Sequence, residues 1–143
     1  MTKFSVRKNT QGNLEILDRV RKKYVACTDE EKVRQMTVLY LTETLNVPMS
    51  SIAVETAIKV NGLSKRTDLI VLNSKLKPAL IVECKAPSVK ISQAVFDQIA
   101  RYNLALQVNY LMVTNGIEHY FCYLDFEKQT YQFIPELPEW SAF

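Results

Sequence analysis

Two short apolar runs joined by a polar connection constrain this chain more than any other feature. Residues 68–72 read DLIVL, residues 80–85 read LIVECK, and the intervening residues 73–78 read NSKLKP. Apolar runs of this length, bounded by turn-forming residues, are strands, and so short a connection makes them antiparallel neighbours. Side chains alternate across a strand, so Glu83 and Lys85 share one face while Val82 and Cys84 pack on the other. Asp68 opens the first run, and antiparallel pairing brings it opposite the end that carries Glu83 and Lys85. Two carboxylates and a lysine then share one small site.

Such a site suits metal-assisted phosphodiester hydrolysis. Mg2+ takes one or two carboxylates, keeps several waters and leaves positions for substrate phosphate. A bound metal lowers the pKa of its water from about 15.7 towards neutrality and stabilises charge on the phosphate oxygens. Lys85 then positions the attacking water or supports the charged transition state. A plainer reading stands beside this one, in which Glu83 and Lys85 are a strand ion pair worth roughly 0 to 1 kcal/mol.

Downstream, Ser92 or a residue near it starts a helix whose apolar stripe is Val95, Ile99, Tyr102 and Leu106, with an Asp97 to Arg101 pair on its exposed side. Gln98 and Tyr102, four residues apart, lie on one face of it. Upstream, Thr28 and Glu31 have capping-box spacing, and Val33, Met36, Tyr40 and Val47 recur at helical intervals, so residues 28 to about 46 form an amphipathic helix that ends before Pro48.

The ordered set Asp68, Glu83-x-Lys85 and Gln98-x-x-x-Tyr102 resembles the PD-(D/E)xK nuclease signature, in the form seen in type I restriction enzyme R subunits and RecB-like nucleases. RKKYV at residues 21–25, VRQ at 33–35 and ECKAPS at 83–88 further resemble the N-terminal domain family of type I restriction R proteins, over roughly residues 15 to 125. Thr67 stands where the signature carries its proline.

The resemblance implies a restriction-endonuclease-like α/β core, a central mixed sheet flanked by helices. It implies Mg2+, or Mn2+ in its place, held by Asp68, Glu83 and the main-chain carbonyl of Cys84, with Lys85 serving catalysis. Gln98 and Tyr102 then look back at the cleft or the DNA backbone. A first-helix glutamate also joins such sites; Glu31 and Glu43 are the two candidates, and the sequence does not choose between them. DNA is the implied substrate. No helicase motor accompanies the domain in these residues, which leaves action with a separately encoded motor or specificity subunit, or a homodimer making paired cuts as small resolvase-like members of the fold do. A nucleic-acid or protein binding module that keeps the fold without turnover is the non-enzymatic alternative.

Further contacts fall around this centre. Lys65 and Arg66 are phosphate candidates at its edge; Arg34 and Gln35 either support the cleft or belong, with Glu31 and Glu43, to a solvated helix face. Residues 51–60 read as one strand ending in an Asn61-Gly62 turn, lying next to the Asp68 strand, with Glu55 on it an exposed carboxylate or, from that neighbourhood, a second-rank site candidate. Residues 110–114 read as a central strand parallel to its neighbour, residues 117–124 alternate, and residues 130–134 are the last strand. The sheet is expected to have about four or five strands.

At 143 residues the chain is one domain's worth. It divides into a hairpin extension (1–27) with Phe4, Val6, Leu14 and Ile16 about a turn at Gly12, a core (28–134) and an irregular tail (135–143) whose Trp140 and Phe143 cover an edge or a partner surface. Arg19, Arg21, Lys22 and Lys23 read as a solvated basic loop, with phosphate contact as the functional alternative. A net charge of +3 neither demands nor excludes a nucleic-acid partner, so any charge that binds DNA is local. Cys27, Cys84 and Cys122 have neither zinc-ligand spacing nor a disulfide framework, and His119 has no companion ligands. With no signal peptide and no apolar run of membrane length, the expected location is the cytoplasm, with no membrane partner.

Overall fold

The computed structural model describes residues 4–143. In chain order the strands are β1 (Val6–Lys8), β2 (Leu14–Asp18), β3 (Lys23–Ala26), β4 (Ile52–Val54), β5 (Ala57–Val60), β6 (Leu63–Arg66), β7 (Leu69–Leu72), β8 (Pro78–Cys84), β9 (Tyr110–Thr114), β10 (His119–Asp125) and β11 (Thr130–Ile134); the helices are α1 (Asp29–Glu43) and α2 (Gln93–Leu104). The central sheet is mixed and six-stranded, in the order β11-β10-β9-β8-β7-β4, one or two strands more than the pattern predicted. β8 and β9 run parallel and the other neighbours antiparallel. The sheet's edge strand β4 is only the front part of the strand expected over residues 51–60.

Alternation along the middle strands builds two cores. Leu69, Val71, Leu80, Val82 and Cys84 pack towards α1, while Ile70, Ile81, Leu111 and Val113 pack towards α2. Pro78, which has no amide to donate, opens β8, beside a register irregularity at Val71 and Leu72.

Both helices begin at the expected caps. Thr28 Oγ1 accepts the Glu31 amide at 3.0 Å and Ser92 Oγ accepts the Val95 amide at 3.2 Å. The capping box is only half made, because the Glu31 carboxylate turns away to accept Gln35 Nε2 at 3.1 Å. α1 ends with Asn46 in the left-handed region (φ 59°) and the Val47 amide on the Leu41 carbonyl, just before Pro48.

The helical phases differ from the predicted stripes. In α1 the buried face is Val33, Arg34, Gln35, Thr37, Val38 and Leu41, and Met36 is exposed. In α2 it is Phe96, Ala100, Asn103 and Leu104, about one position from the predicted stripe, and Tyr102 is exposed. Asp97 pairs not with Arg101 but with Gln93 Nε2 and the Tyr131 hydroxyl.

Residues 51–60 are not one strand. The chain breaks at Glu55, whose φ of 52° no extended strand tolerates, so β4 stays beside β7 while β5 turns into a separate ribbon with β6. Asn61 (φ 50°) and Gly62 (φ 79°) close that ribbon as a two-residue hairpin turn. Its base is clasped by the Glu55 amide on the Asp68 carbonyl and the Thr67 amide on the Thr56 carbonyl.

The N-terminal hairpin forms as read, with Gly12 in its turn, and gains β3 as a third strand; residues 1–3 of the expected extension lie outside the described residues. At the other end the tail is irregular apart from one short 3-10 turn, and it covers the sheet as expected: Trp140 Nε1 donates to the Leu72 carbonyl at 2.8 Å and Phe143 packs on Tyr110.

Candidate functional site

β7 and β8 determine where the charged residues meet. Their register pairs Leu69 with Val82, so one further step sets Asp68 beside Glu83 at the same end of the two strands. The Asp68 carboxylate bends back to accept the Cys84 amide through Oδ2 at 2.7 Å. Amide and carbonyl of one strand residue point to the same neighbour, so the Cys84 carbonyl also faces the Asp68 side. Glu83 is buried and lies opposite in phase to Cys84, as the alternation required. Lys85 is half-buried, anchored by its amide on the Thr114 carbonyl at 2.8 Å.

β6 brings two further cations, and consecutive strand residues send them to opposite faces of the ribbon. Lys65 shares its face with Ile58, turns inward and pairs with Glu83 Oε1. Its ammonium also lies 5.1 Å from the centre of the Tyr102 ring, a cation–π contact, and the Tyr102 hydroxyl is 3.5 Å from the Ser64 carbonyl. Arg66 turns outward to Glu55 Oε2 at 3.0 Å. Lys65 thus sits on a carboxylate of the centre rather than at its rim, while Gln98 is exposed and Tyr102 meets the site through Lys65.

A second charged group lies beside the first. Arg34, buried in α1, has Nε 3.4 Å from Glu31 Oε2 and donates through Nη1 to Glu55 Oε1 at 3.2 Å. Burial opposes its charge, but Glu31, Glu55 and the nearby Asp68 outweigh that and raise its pKa. Gln35 is fully buried between the Glu31 carboxylate and the Arg19 amide, tying α1 to the turn after β2.

In that turn the basic residues do not all stand in solvent. Arg21 bonds the buried Asp18 at 2.6 Å and lies 3.4 Å from Glu55 Oε2. Burial raises the Asp18 pKa, but the Arg21 side chain and the amides of Arg21 and Val20 outweigh it and bring the net value below the usual range. Glu55 is held below its usual range by the hydrogen bond from Arg66 first, against some burial, and then by Arg34 and Arg21. It is therefore a bound carboxylate, not the solvated strand residue the sequence suggested. The Asn61-Gly62 turn was the signal that could have revealed the ribbon and the opposed directions of Lys65 and Arg66.

Of the first-helix candidates, Glu31 is buried against Arg34 and Gln35, and Glu43 lies exposed on the last turn. Cys84 and Cys122 are buried free thiols; burial raises both, Cys122 to about 11, and the Asp68 charge adds to the effect at Cys84. His119 is exposed, with Nδ1 2.7 Å from Thr114 Oγ1. An apolar hollow of about 210 Å³, lined by residues including Met36, Tyr40, Met112 and Phe121, lies between α1 and the β9–β10 pair and contains none of the charged residues above.

Mg2+ accepts few protein ligands, all oxygen, and two carboxylates with a main-chain carbonyl at one strand end fit that donor set. Among the described residues no group of three His, Cys, Asp or Glu side chains forms a closed cage, which such a water-rich site does not need. Nor, among them, is any helix long and apolar enough to cross a membrane.

No curated protein and no solved structure matches the chain. The family model for the type I restriction enzyme R protein N terminus matches residues 29–138, from the first residue of α1 into the tail, and leaves out the N-terminal three-stranded sheet. That match spans more than three quarters of the sequence, and it includes every site residue discussed except those of the β2–β3 turn. The chain belongs to the family of type I restriction enzyme R protein N termini.

Proposed function

We propose that this chain is a Mg2+-dependent endonuclease of the PD-(D/E)xK type that hydrolyses phosphodiester bonds of DNA. The observation that carries the reading is the meeting of Asp68 and Glu83 at one end of neighbouring antiparallel strands, with Lys85 two residues further on. Family membership supports it from a separate direction.

Asp68, Glu83 and the Cys84 carbonyl would hold the metal. When bound, Mg2+ supplies an acidified water and neutralises charge on the phosphate oxygens. The Cys84 amide fixes one Asp68 oxygen and leaves the other available. Lys85, anchored through its backbone on β9, orients the water or stabilises the charge that grows on the phosphate. Lys65 keeps the buried Glu83 carboxylate paired, since an unpaired buried charge is costly. Gln98 and Tyr102, on the exposed face of α2, contact the DNA backbone or orient Lys65.

A binding module without turnover is the second reading. The Lys65 ammonium already occupies the cation position at Glu83, and that observation favours it. Plasmid nicking by purified protein in Mg2+ separates the two. Nicking that disappears in Asp68→Ala and in Lys85→Ala is expected; equal activity in wild type and both variants would overturn the proposed centre. A sizing column run on the same samples distinguishes a homodimer from a chain that needs a separate motor or specificity subunit.

A further inference from the structure

Three guanidinium groups converge on one carboxylate where the chain leaves the central sheet. Glu55 Oε2 accepts from Arg66 Nη2 at 3.0 Å and from Arg21 Nη1 at 3.4 Å, and its Oε1 accepts from Arg34 Nη1 at 3.2 Å. We infer that Arg21, Arg34 and Arg66 form a subsite for a backbone phosphate of duplex DNA, and that the Glu55 carboxylate fills this subsite until DNA arrives. The inference rests on the nuclease reading, which supplies DNA as the ligand, and adds a binding site to it.

Charge pairing is the first support. Arg21 already has Asp18 and Arg34 already has Glu31, so Glu55 is not needed to neutralise either. A phosphodiester carries one negative charge, as a carboxylate does, and arginine forks suit both. Exchange of one for the other leaves the charge of the subsite unchanged, while Glu55, about one-third exposed, swings into water.

Donor geometry is the second. The Arg34 side chain is only 7% exposed and its Nε lies 3.4 Å from Glu31 without a hydrogen bond, so Nη1, which donates to Glu55 at 3.2 Å, is the donor a phosphate oxygen would take over. Shape is the third: the three side chains are 7%, 27% and 71% exposed, so the subsite opens from the interior outward.

Position is the last. The Glu55 amide donates to the Asp68 carbonyl at 3.0 Å, so this subsite adjoins the proposed metal ligand. A phosphate bound here would be a neighbour of the one undergoing cleavage. Glu55 itself adopts φ 52°, uncommon for a residue with a long side chain, so the surroundings rather than local preference hold it there.

Binding of a short fluorescent duplex in EDTA tests the subsite without turnover. With the competing carboxylate neutralised, Glu55→Gln should bind roughly tenfold more tightly, with the slope of log K against log salt unchanged, because both proteins neutralise the same phosphates. Glu55→Asn, which tolerates a positive φ, should behave alike. Arg66→Ala, at an exposed position, should weaken binding and make the slope shallower by about 0.9, one phosphate contact. Unchanged or weaker binding by both Glu55 variants, with wild-type circular dichroism and melting, would overturn the subsite alone. No duplex binding by any of these proteins, wild type included, would overturn the nuclease reading with it.

Discussion

The two helices flank the same sheet, and they bury different chemistry. α2 packs Phe96, Ala100 and Leu104 on Ile81 and Leu111, with Asn103 as its single buried polar residue. α1 also has an apolar seam, Val33, Val38 and Leu41, but buries Glu31, Arg34, Gln35 and Thr37 beside it. A helix that only supports a sheet gains by being apolar there. The ionic face of α1 reaches the Asp68 end of the sheet through Arg34 and Glu55, and the desolvation it costs is offset by holding charges in fixed places. α2 therefore buries apolar surface and offers Gln98 and Tyr102 only from its exposed face, while α1 buries charged groups as well.

The sharpest way to break this contrast is to empty each helix in turn. Phe96→Ala, a change at a side chain 2% exposed, should cost about 3–5 kcal/mol in urea unfolding. The folded fraction should still bind DNA with an unchanged salt slope. Arg34→Met keeps the volume but leaves Glu31 buried without its cation, and should cost about 3 kcal/mol. Glu31→Gln added to Arg34→Met should recover part of that loss. Unlike Phe96→Ala, Arg34→Met should also make the salt slope of DNA binding shallower; equal slopes for the two variants would erase the distinction between the helices.

The caps sharpen the comparison from the other side. Thr28→Ala and Ser92→Ala each remove one side-chain acceptor from a helix start, and each should cost about 1 kcal/mol by thermal or urea unfolding. Near-equal losses would show that the helices differ in what their faces bury rather than in how they begin.

The parts legible in the sequence are those where one physical cause dominates. β7, β8 and β9 are short apolar runs with turn residues at their ends, and their burial leaves little choice of structure. Thr28 and Ser92 announce the helix starts because a hydroxyl there has an orphan amide to meet. Where charge and burial coincide, the pattern fails. Arg34 and Gln35 look like a solvated face on any hydrophobicity scale, so the pattern points to the wrong phase for α1. The break at Glu55 is invisible because long side chains rarely adopt a positive φ, and only the arginines around it, distant in sequence, make it tolerable.

The same division runs through the site. That Asp68 lies beside Glu83 follows from strand pairing, and the register of β7 and β8 sets it so. The partners of Glu55 do not, because they come from the β2–β3 turn, from α1 and from β6, and no local pattern links three such segments. The nearness of Lys65 to Asp68 in sequence points to the same end of the sheet, but its pairing with Glu83 depends on the ribbon folding over the sheet.

The clasp at the foot of that ribbon separates two properties of the molecule. Residues 57–66 leave the sheet at Thr56 and return at Thr67, and the hydrogen bonds between those two ends close the excursion upon itself. Additions or deletions near the tip at Asn61 and Gly62 would alter how far the arm extends from the sheet, yet the carboxylates below would keep their spacing. Reach and chemistry can thus diverge independently among related chains, one by loop length and the other by point substitution.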